Sequence, residues 1–63
     1  MNTWYELSLI ANGKKIHILD TQSLEVAEDK KNELVSVGLK VVIDEYIIKE
    51  DKLVLVGEIK WLN

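Results

Sequence analysis

The chain contains no cysteine, no proline, no phenylalanine and no arginine. Without cysteine, neither a disulfide nor a thiolate metal centre can brace the fold. Without arginine it lacks the residue that most often reads base edges. A formal charge of −3, carried against eight lysines, leaves no basic footprint, so no nucleic-acid partner is expected. Only three glycines occur and none forms a glycine-rich run before a helix, which excludes the common nucleotide-binding fingerprints. No apolar run approaches the roughly 18–20 residues of a membrane span. The start of the sequence has no basic segment followed by an apolar one, so no secretory signal is expected. The expectation is a soluble, cytoplasmic protein without a membrane partner or a cofactor.

What is present is apolar and β-forming. Hydrophobic residues make up 48% and charged residues 30% of the 63 positions, which excludes a disordered chain. One domain over residues 1–63 is expected. A chain this short buries only about 60% of its unfolded surface, so oligomerisation is the remaining common route to stability. The arginine-free usage, rich in Lys, Asn, Ile and Glu, suggests an AT-rich coding genome such as that of a low-GC bacterium or its phage. The absence of proline and phenylalanine equally fits a designed protein.

The last third organises the chain. Residues 39–49 and 53–62 read as two strands rich in Val, Ile, Tyr and Trp. Leu39, Val41, Ile43, Ile47, Leu53, Leu55, Ile59 and Trp61 form one apolar stripe. The opposite set still holds Val42, Tyr46, Ile48, Val54, Val56 and Leu62. A half-solvated antiparallel sheet alternates apolar with polar, so both faces of this hairpin should be covered. A three-residue loop, Glu50-Asp51-Lys52, keeps the first stripe together. It pairs Lys49 with Leu53, Ile47 with Leu55, Ile43 with Ile59 and Val41 with Trp61. It also sets Asp44 opposite Glu58, a like-charge pair. A two-residue turn would pair Lys49 with Lys52 and mix the faces. Gly57 marks where a bulge would resolve that conflict.

Earlier in the chain, Tyr5, Leu7 and Leu9 alternate with Trp4, Glu6, Ser8 and Ile10. Asn12-Gly13 is the strongest short hairpin signal. It predicts Ala11 opposite Lys14, Ile10 opposite Lys15, Leu9 opposite Ile16, Ser8 opposite His17, Leu7 opposite Ile18 and Glu6 opposite Leu19. Leu7, Leu9, Ile16 and Ile18 should face the helix. Ser23 is the expected N-cap of a helix over 24–37, with Gly38 as its left-handed C′ residue. Leu24, Ala27, Leu34 and Val37 recur at helical spacing, while 28–33 is wholly polar. The helix should be lightly attached, with Leu34 as its anchor.

The order is strand, strand, helix, strand, strand: an α+β fold with one helix packed on one face of a four-stranded sheet. This order is similar to that of the immunoglobulin-binding domains of protein G, where two hairpins flank one helix. No motif of that family matches here, so the resemblance implies neither a function nor a site residue.

Sites are sparse. His17 has Ser8 as its expected cross-strand neighbour, but no third catalytic member follows and no further metal ligand stands at a recognisable spacing, so neither catalysis nor metal ligation is expected of it. Glu6, Asp44 and Glu58 share the face away from the helix, either as a solvated edge neutralised by Lys40 and Lys60 or as an acceptor for a cation or a partner's lysine or arginine. Trp4, Val42, Tyr46, Ile48, Val54, Val56 and Leu62 fall on that same face and are the candidate partner or oligomer interface. The expected function is that of a small non-enzymatic interaction protein. It would form a homodimer, or bind a larger host protein, through its sheet, as an inhibitor or regulator from a phage or bacterium. The alternatives are an oligomer that binds or sequesters a small ligand, and a designed scaffold.

Overall fold

A computed structural model describes residues 3–59 of the chain. The elements follow the predicted order: β1 (Thr3–Ala11), β2 (Lys14–Thr21), α1 (Leu24–Ser36), β3 (Lys40–Lys49) and β4 (Lys52–Glu58). The fold is α+β, with four strands in one antiparallel sheet ordered β2-β1-β3-β4. Strands β2 and β3 both run antiparallel to β1 and therefore parallel to each other. Helix α1 is the crossover between them. It packs on β1, β2 and β3 and does not reach β4. Among the described residues, no helix is long and apolar enough to cross a membrane.

The first hairpin turns at Asn12 (φ 53°) and Gly13 (φ 74°), the two positive angles of a type I′ turn. Four pairs follow the predicted register: Ala11 with Lys14, Ile10 with Lys15, Leu9 with Ile16 and Ser8 with His17. There the register shifts. Ile18 is left without a partner, Leu7 pairs with Leu19 and Glu6 with Asp20. The expected pairs of Leu7 with Ile18 and Glu6 with Leu19 are therefore not formed. The reason lies two residues further on. A regular register would set Leu19 on the open face and Asp20 beside Tyr5 under the helix. Looping out Ile18 flips the faces beyond it, so Leu19 joins the core and Asp20 leaves it.

The second hairpin repeats this solution. Its turn has two residues, Glu50 (φ 53°) and Asp51 (φ 63°), not three, and Lys49 pairs with Lys52, Ile48 with Leu53, Ile47 with Val54 and Tyr46 with Leu55. Val56 is then looped out. Gly57, at φ 150°, pairs with Glu45, and Glu58 with Asp44. The Ile59 amide donates to the Ile43 carbonyl at 2.8 Å. Without the bulge, Glu58 would face Ile43 under the helix. With it, Ile59 takes that place. The pairing of Asp44 with Glu58 and of Ile43 with Ile59 is thus as expected, reached through a shorter turn and a bulge at Gly57. The expected pair of Val41 with Trp61 lies outside the described residues.

The Ser23 hydroxyl accepts from the Val26 amide at 3.2 Å and caps α1. At the other end Gly38 adopts φ 88°. Its amide donates to the Val35 carbonyl, and the Leu39 amide donates to the Leu34 carbonyl, a Schellman closure. The helix ends at Ser36, one residue short of the expected boundary, and Val37 is exposed instead of packing on the sheet. The core is small. Leu7, Ala27 and Ile43 are fully buried, with Tyr5, Leu19, Leu34, Val41 and Ile59 packed around them. Ile16 and Ile18, expected under the helix, are exposed because α1 covers the sheet around Leu7 and Ile43 and the bulge sends Leu19 there in their stead.

Two outcomes follow. Glu50 and Asp51 hold left-handed angles without a glycine, which costs roughly 1–2 kcal/mol per residue. Glu50→Asn combined with Asp51→Gly, copying the first turn, should raise stability by about 1 kcal/mol; a lowered urea midpoint would contradict the two-residue turn. The helix leans on Ala27 and Leu34, so its amides should exchange before those of β1 and β3. Equal protection by hydrogen exchange would contradict a lightly attached helix.

Candidate functional site on the open sheet face

The face opposite α1 is ordered in rows that follow from strand register. The first row crosses Lys15, Ile10 and Lys40, and the next His17, Ser8 and Val42. The third crosses all four strands: Asp20, Glu6, Asp44 and Glu58. Beyond it lie Trp4, Tyr46 and Leu55, then Ile48 with Leu53. The acidic row exists because of the two bulges. Glu6 and Asp44 are paired on the inner strands, and each bulge brings one further carboxylate from an edge strand into line.

Like charges opposite one another on a sheet repel, and the chain answers this at specific points. The Lys15 ammonium donates to Asp44 Oδ2 at 2.9 Å. In the register this bond crosses from β2 to β3 over Ser8. Ser8 and Asp44 are accordingly only 2% and 5% exposed, on a face that no described element covers. The hydrogen bond and the charge of Asp44 push the Lys15 pKa above its usual value. Tyr46 is also pushed up, first by burial, then by the charges of Glu6 and Asp44. Its hydroxyl stays protonated at neutral pH. His17 Nε2 lies 3.0 Å from Asp20 Oδ1. On a regular strand, residues three apart point to opposite faces; the looped-out Ile18 puts these two on the same one.

Trp4, Tyr46, Ile48 and Leu53 line a groove of about 460 Å³ whose polar wall is Glu6 and Asp20. Of the residues proposed from sequence, Trp4, Val42, Tyr46 and Ile48 lie on this face. Val54 does not: it pairs with Ile47 and sits on the helix side, beyond the reach of α1. Val56 is the looped-out residue of β4. The two-residue turn shifts β4 by one position, so Leu53 and Leu55 occupy the open face where Val54 and Val56 were expected. Leu62 lies outside the described residues. Sequence reasoning missed Asp20, Leu53 and Leu55. The signal for Asp20 was available: an unbulged hairpin sends a carboxylate under the helix, a conflict that a bulge removes.

The chain matches no family model, no curated protein and no solved structure.

The Lys15–Asp44 bond yields a prediction. Lys15→Met leaves the buried Asp44 carboxylate without its cation, so the thermal midpoint at neutral pH should fall. A raised lysine pKa stabilises the folded state below the unfolded value of 10.5 and loses that effect as pH rises through the folded value. The difference between the parent and the variant should therefore shrink in alkaline buffer above that value. A difference that grows there would contradict the pairing.

Proposed function

We propose that the protein is a small non-enzymatic interaction module that self-associates through the open face of its sheet. The observation that carries this reading is the aromatic and apolar groove of Trp4, Tyr46, Ile48 and Leu53, which no described element covers. Trp and Tyr in a partly enclosed apolar site are the residues from which interface hot spots are made. Leaving such a surface in water forfeits about 25 cal/mol for each Å² that a contact could bury, which matters where only three core side chains among the described residues are fully buried.

Face contact is favoured over edge pairing. Both edge strands, β2 and β4, carry a bulge, and bulges twist an edge away from further strands. A second copy meets the groove best at its apolar end, because stacking acidic row on acidic row would set eight carboxylates against one another. The non-enzymatic reading is supported by Ser8, the hydroxyl paired with His17, whose burial keeps it from acting as a nucleophile. The acidic row speaks against a nucleic-acid partner. It also favours one second reading: a larger protein that lays a lysine or arginine along Glu6 and Asp44 beside the groove, with this chain as its inhibitor or regulator.

Sedimentation tests the first reading. The parent chain should show a mass above one chain at tens of micromolar. Ile48→Lys with Leu53→Lys, a cross-strand pair of exposed side chains, should give a folded monomer. A monomeric parent would overturn self-association, and salt-sensitive capture of a lysine-rich partner would then support the second reading.

A further inference from the structure

We propose that Glu6, His17 and Asp20 form a binding site for a divalent transition-metal cation of the zinc class, placed at the acidic end of the groove. The three side chains offer one imidazole nitrogen and two carboxylate oxygens, and these donor atoms all lie within 4.8 Å of one another. A zinc ion with bonds of about 2.0–2.2 Å holds its ligand atoms roughly 3.3–3.5 Å apart. His17 and Asp20 already meet at 3.0 Å. Both are exposed, so small rotamer changes suffice to close the set around an ion.

Three features besides proximity point to a cation. First, the donors come from two strands and are brought together by a bulge, so their spacing is held by backbone pairing: Glu6 faces Asp20 directly, and His17 sits one row away beside Ser8. Second, Glu6 and Asp20 are like charges in direct cross-strand register, an arrangement that costs stability unless a cation lies between them. Lys15, which shares this face, is drawn to Asp44 instead. Third, Glu6 is half-buried, and among the described residues no lysine forms an ion pair with it.

The chemistry of the donors selects the ion. An imidazole with two carboxylates suits zinc and its first-row neighbours, whereas calcium and magnesium prefer all-oxygen shells of six or more ligands. Three protein ligands leave a coordination position open. Glu6 and Asp20 also wall the groove, so that position faces the space between Trp4 and Leu53, where water or a donor group of a bound molecule would complete the shell.

Calorimetric titration of the full-length chain with zinc at neutral pH tests this, with magnesium and calcium as comparison ions. One zinc per chain should bind saturably, and the other two ions should not compete. His17→Ala and Asp20→Asn should each weaken binding by at least about tenfold. Circular dichroism of each variant without metal shows that it is folded; His17 and Asp20 are exposed, and Glu6→Gln serves as a third ligand variant. Zinc should also move the His17 imidazole nitrogen resonances in the parent. No saturable binding, or equal affinity in the parent and the ligand variants, would overturn the site.

Discussion

Two carboxylates decide the architecture of this sheet. Asp20 and Glu58 each sit next to a large aliphatic residue, Leu19 and Ile59, near the end of an edge strand. In a regular ladder both acids would point under the helix and, in β2, the aliphatic neighbour would point away. Burying an unpaired charge costs several kcal/mol, comparable with the whole stability of a domain this small. The chain instead loops out Ile18 in β2 and Val56 in β4, one residue in each edge strand. Each bulge flips the faces beyond it, so Leu19 and Ile59 pack against Leu7 and Ile43 while the acids turn outward.

The same two bulges build the open face. They align Asp20 and Glu58 with Glu6 and Asp44, and they bring Asp20 beside His17. They also distort both edges, which discourages strand addition and leaves the face as the surface available for contact. Repulsion along the row is managed locally. Lys15 reaches over Ser8 to Asp44 and His17 meets Asp20, while Glu6 has no ion pair among the described residues. Among the described residues, none gives the apolar half of the face comparable cover. The helix lies on the other side and stops short of β4, so Leu53 and Leu55 are more than half exposed, at 62% and 57%.

Much of this was legible in the residues. Asn12-Gly13, Ser23 and Gly38 act locally, and each does what its chemistry predicts. The alternation around Leu7 and Ile43 marked two strands and the face each turns to the core, but not their central places in the sheet. The bulges were harder to read, because a looped-out residue leaves no mark in the alternation itself; Gly57 gave a hint in β4, and in β2 the hint was indirect, an Asp20 that a regular hairpin would send under the helix. Ile18 carries none, since a β-branched residue is at home in a regular strand. The second turn was misjudged for a related reason. A three-residue loop kept the apolar stripe intact with no bulge, whereas the fold uses the tighter turn that matches strand twist and corrects the register five residues later. That single shift moves Val54 off the open face and puts Leu53 and Leu55 on it, which is why the residues expected on this face lie there on β1 and β3 and are one position off on β4.

The central claim is that the open face, shaped by the two bulges, is the working surface of the protein. Amide and side-chain NMR spectra recorded from micromolar to millimolar chain concentration test it most directly. Concentration-dependent shifts should cluster at Trp4, Tyr46, Ile48 and Leu53 and leave α1 unchanged. Shifts confined to α1, or spectra that do not change with concentration, would contradict it.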